Sequence, residues 1–309
     1  MFEGVTTMLL EDVLEEFIFD CKLRRLSEKT IKGYRNNNLR FFTFIKKEYD
    51  IDDLGKIQGN VINAYIAYLT SIGRKPSYIN GIIKSFRAFY KYCENEKYVS
   101  RNPMNKVNFQ KQGKALIKTF NDREVRDMVR YYGSVRYLDI RDKLIIVMLL
   151  DTGIRNSELC GLLMSDIRYD HILIRGKGNK ERVVPISPIL NKILIKYKRV
   201  RNLYIKDKFA YQTEYLFLSQ KGKKLTPETV ERVVLECAEA CKVRNTIRSS
   251  PHTCRHYFAQ AQLKNGCDLY TLSRLLGHSN INITKIYLQS MDDERVLDMG
   301  VKTSPLMNL

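Results

Sequence analysis

The chain has 309 residues and 36.2 kDa, with 53 Lys plus Arg against 34 Asp plus Glu, a net charge of +19. At 44% hydrophobic residues it can bury a core, which excludes wholesale disorder, and its length suggests about two domains. No apolar run reaches the ~20 residues of a membrane helix, and seven scattered Cys without a CxxC pair fit free thiols in a reducing cytosol. With the acids Glu3, Glu11 and Asp12 near its start, no signal peptide is expected, and the protein is placed in the cytoplasm away from membranes. The charge excess, +5 over residues 1–108 and +14 over 109–309, is the footprint of a protein that meets polyanions.

The first hundred residues read as helical. Leu10, Val13, Leu14, Phe17 and Ile18 form the stripe of an amphipathic helix over 9–21. Ser27 is placed to cap a second helix running through Tyr34, Leu39, Phe42 and Phe44. A third is expected over 61–71, stopped by Gly73 and Pro76, and a fourth over 77–95 with Ile79, Ile82, Ile83, Phe86, Phe89 and Tyr90 on one side. The polar face of the fourth offers Lys75, Lys84, Arg87 and Lys91, which suit either a solvated surface or a phosphate backbone. Together these helices make a small bundle over residues 1–108.

Arg101-Asn102-Pro103 breaks that bundle, and the polar, basic stretch 109–118 is expected to be a flexible linker. A second domain, 119–309, opens with Asn121 and Glu124 at capping-box spacing. Leu144–Leu150 reads as a buried helix. Two β-type runs, 172–174 and 182–186, flank the turn Gly176-Lys177-Gly178-Asn179-Lys180 and form a hairpin. Thr226-Pro227 returns the chain to helix. The fold class is therefore mainly α with a small antiparallel β-sheet, a helical bundle followed by an α+β domain.

Three of the four His, namely His252, His256 and His278, fall close together near the C-terminus. Ser250 and Pro251 start a helix on which His252 and Arg255 stand side by side at the positive end of the dipole, a good place to hold an anion. Upstream, Thr152-Gly153-Ile154-Arg155-Asn156-Ser157-Glu158 sets an Arg on a Gly-containing turn, with Glu158 spaced to orient it or merely to pair with it. Lys177 shares its turn with Lys180 and competes with Arg182, while Tyr287 is one of 19 Tyr. His256 has no part of its own in the pattern and reads as structural. Cys254, His252 and His256 lack the paired spacing of metal ligands, so no metal site is expected.

The strings Thr152-Gly-Ile-Arg-Asn-Ser-Glu-Leu, Gly176-Lys-Gly-Asn-Lys-Glu-Arg-Val-Val-Pro, Pro251-His-Thr-Cys-Arg-His and Leu276-Gly-His-Ser-Asn-Ile-Asn-Ile-Thr-Lys-Ile-Tyr stand in order along the chain. In these the protein resembles the tyrosine recombinases, or phage integrase family, and among them the compact Xer-like and transposon-encoded members. Cys254 departs from the Leu usual at that place and is taken as a packing variant. The resemblance implies that residues 1–108 are a core-binding domain and 119–309 a catalytic domain, with a C-terminal tail from about residue 291.

The same resemblance implies cutting and rejoining of DNA through a covalent 3′-phosphotyrosine. Arg155, Arg255, His252 and His278 would surround the phosphate, Tyr287 would attack it, helped to lose its proton by their positive field or by a neutral His252, and Lys177 would protonate the leaving 5′-oxygen. Bond energy stored in the covalent link removes the need for ATP, metal or any cofactor. The implied partner is double-stranded DNA with inverted-repeat core sites, bound by a homo-tetramer on two sites and by a monomer when free. Because the first helix begins so near Met1, no arm-binding domain is expected, which favours the recombinase of a mobile element. The alternatives are an Xer-type dimer resolvase and, from a related chemistry, a type IB topoisomerase. The tail, with a short helix expected over 292–299, is expected to dock into a neighbouring catalytic domain.

Overall fold

The structure, a computed structural model, describes residues 9–113, 117–133, 135–176, 181–208, 213–290, 297 and 300–307. The chain divides into two compact units, Met1–Lys114 and Ala115–Leu309.

In the first unit the described helices are α1 (Leu10–Leu23), α2 (Glu28–Tyr49), α3 (Gly59–Ser71) and α4 (Pro76–Asn95). Ser27 Oγ accepts the Thr30 amide at 3.3 Å and so fixes the start of α2. Pro76 opens α4 in its first turn, where the missing N–H has no helical partner to lose. The apolar stripes meet in an aromatic core in which Phe17, Phe41, Phe86 and Phe89 are fully buried. Phe41 and Phe86 lie 4.8 Å apart between ring centroids, a separation at which aromatic pairs add to plain burial.

The segment after α4 is more fixed than its composition suggests. Asn80 exchanges two hydrogen bonds with the backbone of Gln110, at 2.8 and 2.9 Å. Arg87 donates to the Val107 carbonyl at 2.9 Å and lies 4.1 Å over the Phe109 ring. The stretch expected to be flexible from residue 109 is thus held at Phe109 and Gln110, and Arg87 is engaged in holding it. Lys91 is exposed and pairs with Glu94 at 2.9 Å, whereas Lys84 is exposed on the same helix and Lys75 is exposed at the cap position before it.

In the second unit α5 (Asp122–Tyr131) begins with the expected capping box between Asn121 and Glu124. It leads to α6 (Tyr137–Thr152), α7 (Asn156–Gly161), β1 (His171–Arg175) and β2 (Glu181–Pro185). The strands pair antiparallel with His171 opposite Pro185 and Arg175 opposite Glu181. Further on come α8 (Pro188–Lys208), α9 (Pro227–Ala240), α10 (Pro251–Lys264) and α11 (Leu269–Leu276). The run Leu144–Leu150 makes α6 the buried axis of this unit, packed by α5, α8, α9 and α10. Mainly helical with one two-stranded antiparallel sheet, the chain has the fold class its sequence led one to expect.

Helix α8 has no counterpart in the sequence reading. Its inner face is regular, with Leu190, Leu194, Tyr197 and Arg201 buried at spacings of three and four, but the exposed Ile189, Ile195 and Leu203 blur the stripe. Among the described residues no helix is long and apolar enough to cross a membrane. Lys177 at the hairpin tip lies outside the described residues, as does most of the helix expected over 292–299.

Candidate active site

The end of α6 sets the first element of the site. Gly153 adopts φ +60°, and a Cβ there would fall 2.4 Å from the Phe258 ring of α10. Only glycine lets the two helices approach this closely in that conformation. Its carbonyl accepts from Arg255 Nη1 at 2.6 Å, so the turn before Arg155 holds the arginine of α10 in place.

Arg155 precedes α7 and stays partly exposed, while its Nη1 donates to Glu158 at 2.9 Å. Glu158 is nearly fully buried and takes a second cation, Arg182 of β2, in a two-pronged pair at 2.9 and 2.7 Å. Burial would raise the Glu158 pKa, but the hydrogen bonds and charges of Arg182 and Arg155 outweigh it and hold the carboxyl below its ordinary range. Arg182 therefore acts here as a strut that sets Glu158, which in turn sets Arg155.

The C-terminal end of α11 gathers all three arginines. Arg182 Nε donates to the Leu275 carbonyl at 2.9 Å, Arg255 Nη2 to Leu276 at 2.7 Å, and Arg155 Nη2 to Gly277 at 3.2 Å. These carbonyls lie at the negative end of the helix dipole and have few helical partners of their own, so they attract cations. Gly277 ends the helix at φ +65°, and a Cβ on it would meet Arg182 Cδ at 2.8 Å. The turn needs glycine both for its dihedral and for the passage of that side chain.

His278 follows at once. Its Nδ1 lies 2.8 Å from the hydroxyl of the fully buried Thr284, and its Nε2 lies 3.0 Å from Arg255 Nη2. A guanidinium only donates, so Nε2 accepts and the ring is neutral with its proton on Nδ1. Burial and the arginines push the His278 pKa down to about 4, in keeping with that state. Arg255 itself is 3% exposed, and burial pulls its pKa down to about 10, which leaves it charged at neutral pH.

Tyr287 is 2% exposed, in the 3-10 turn Lys285–Ser290, and packs with Phe258, Leu263, Leu272 and Leu276. Burial raises its pKa, opposed by the charges of Arg255 and Arg155. Its hydroxyl lies 3.0 Å from His256 Nδ1. The sequence alone gives His256 only a structural part; what it could not display is the turn that brings residue 287 back onto α10. His252 stands exposed one turn earlier, its ring edge-on to His256 at 4.3 Å between centroids. Desolvation and the charges of Arg255, Arg248 and Arg155 hold its pKa below the usual value. Among the described residues no group of three or more His, Cys, Asp and Glu is placed to hold a metal ion.

Residues 106–294 match the Phage integrase family. The chain belongs to that family. It is 31% identical to tyrosine recombinase XerC of Thermodesulfovibrio yellowstonii over 297 residues, 95% of this chain and 96% of that protein. It is 30% identical to tyrosine recombinase XerD of Listeria monocytogenes, over 90% of this chain and 94% of that one. Among known structures, that of XerA recombinase is 26% identical with a TM-score of 0.53 and spans 96% of this chain and 99% of that one. XerH bound to its difH substrate shares the fold, with a TM-score of 0.75 and 23% identity across 94% of this chain and 83% of that one. This phage integrase family member is a tyrosine recombinase, an enzyme of DNA breakage and rejoining.

The buried carboxylate gives this recombinase a stability test. Replacing Glu158 by Gln leaves Arg182 buried without its counter-charge, a loss of about 3–5 kcal/mol, and should lower thermal unfolding by on the order of 10 °C. An unchanged melting curve would mean that the carboxylate is not what holds the two arginines.

Proposed function

We propose that this chain is an Xer-type site-specific recombinase that resolves chromosome or plasmid dimers. The chemistry is supported above all by the gathering of Arg155, Arg255 and His278 at one helix end, with Tyr287 packed against the same helices. The biological role is supported by relatives named XerC and XerD that match nearly the whole chain, which favour this reading over the mobile-element recombinase expected from the sequence.

In this reading Arg155 and Arg255 hold the non-bridging oxygens of one phosphodiester, with His252 and His278 beside them. Tyr287 Oη forms a bond to phosphorus while the bond to the 5′-oxygen breaks, and Lys177 supplies the proton that oxygen needs. Rejoining runs the same steps backward with a 5′-hydroxyl as nucleophile. Residues 1–108 are the core-binding domain, with Lys75 and Lys84 its leading candidates for backbone contacts. The protein is monomeric when free and acts as four protomers on two inverted-repeat sites, where the tail from about residue 291 links neighbours.

A supercoiled plasmid dimer with two directly repeated copies of the bound site should be converted to monomers by the purified protein. Relaxation of the supercoils without recombinant product would instead assign it to the type IB topoisomerases. Inverted repeats flanking its gene, with movement of the segment between them, would return it to the mobile elements.

A further inference from the structure

We propose that His256 is the general base for Tyr287: its Nδ1 accepts the hydrogen bond of the phenol and takes the proton as the bond to phosphorus forms. This rests on the reading of Tyr287 as the nucleophile. The two groups are 3.0 Å apart, within the range for direct transfer. Their rings meet edge to face, 5.6 Å between centroids at 61°, a geometry set by α10 on one side and the 3-10 turn on the other. Tyr287 is buried and His256 half-buried, so bulk water is poorly placed to receive the proton. His252, the other histidine on this face, is exposed and touches the far member of the pair, His256.

Charge makes the assignment chemically consistent. Burial, the neighbouring His252 and Arg255 push the His256 pKa down to about 4, so the ring is neutral at pH 7 and has a lone pair to offer. Burial raises the Tyr287 pKa, so the phenol does not lose its proton unaided before it attacks. As Oη bonds to phosphorus its proton becomes strongly acidic, and the arriving phosphodiester adds a negative charge that raises the basicity of His256. The balance is complete: Oη–H breaks and Nδ1–H forms, Oη–P forms and P–O5′ breaks, and the 5′-oxygen takes its proton from Lys177. Rejoining returns each proton to its donor.

The test uses the full chain and a nicked duplex that the protein itself has selected from a randomised pool. His256→Ala should lower the single-turnover rate of covalent capture by about 10²–10⁴-fold while DNA affinity stays the same. Its rate should climb about tenfold per pH unit as hydroxide takes over, and added imidazole should restore part of it. His256→Asn places an amide oxygen near the Nδ1 position but takes no proton, so it should show the same dependence on pH. Capture at the wild-type rate in both variants overturns the assignment, as does a lowered rate with the wild-type pH profile and no rescue. Nitrogen-15 spectra of the unaltered protein decide the point without DNA. An unprotonated Nδ1 on His256 is expected, and a proton there makes the ring a donor to Tyr287 and overturns the proposal. Wild-type protein that captures no DNA overturns the reading of Tyr287 itself, and this inference falls with it.

Discussion

Tyr287→Phe should abolish covalent capture of a nicked suicide duplex while leaving DNA binding close to wild type. The substitution removes one oxygen from a buried ring whose body packs with Phe258, Leu263 and Leu272, so the surrounding structure has little reason to move. The lost hydrogen bond to His256 costs only about 0.5–1.5 kcal/mol, a small part of domain stability. Covalent complexes separated by denaturing electrophoresis give the readout. A protein–DNA adduct in the variant at the wild-type level would remove Tyr287 from the reaction.

Arg255→Ala should be nearly as damaging and for two separable reasons. Loss of one preorganised donor to a developing oxyanion typically lowers cleavage by about 10²–10³-fold. The same change leaves the Gly153 and Leu276 carbonyls and His278 Nε2 without the guanidinium, and each buried acceptor left unpaired costs roughly 1–3 kcal/mol. Arg255→Lys separates the two effects, because it keeps a charge but cannot reach three acceptors with a planar fork. Single-turnover cleavage and thermal unfolding measured side by side should show activity falling in both variants. Wild-type cleavage by either one would mean that Arg255 serves only the fold.

What the sequence could display was what is local. The caps at Ser27, Asn121, Thr226 and Ser250 each depend on a bond to an amide three residues on, and all four begin helices as spaced. Helix α8 escaped because burial, which selects its inner face, is decided by neighbours far along the chain, while Ile189, Ile195 and Leu203 on its outside carry the same hydrophobic signature. The site divides in the same way. Arg155, Arg255 and His278 stand in recognisable strings, but the pairing of Arg182 with Glu158 spans 24 residues and that of His256 with Tyr287 spans 31. Arg87 shows the converse, a cation on an apparently free helix face whose partners, Val107 and Phe109, come from the segment beyond the helix.

The three carbonyls at the end of α11 bear on how far the site is felt. Three like charges held close together would ordinarily be matched by as many carboxylates, and each match would cancel a unit of field. Among the described residues only Glu158 is paired with any of them, through Arg155 and Arg182, and the other contacts are to peptide carbonyls. Dipoles fix position without cancelling net charge. The cluster therefore keeps a surplus of two positive charges, from three arginines and one carboxylate. Such a surplus acts at a distance as well as on contact, drawing a polyanion toward the groups that will react with it.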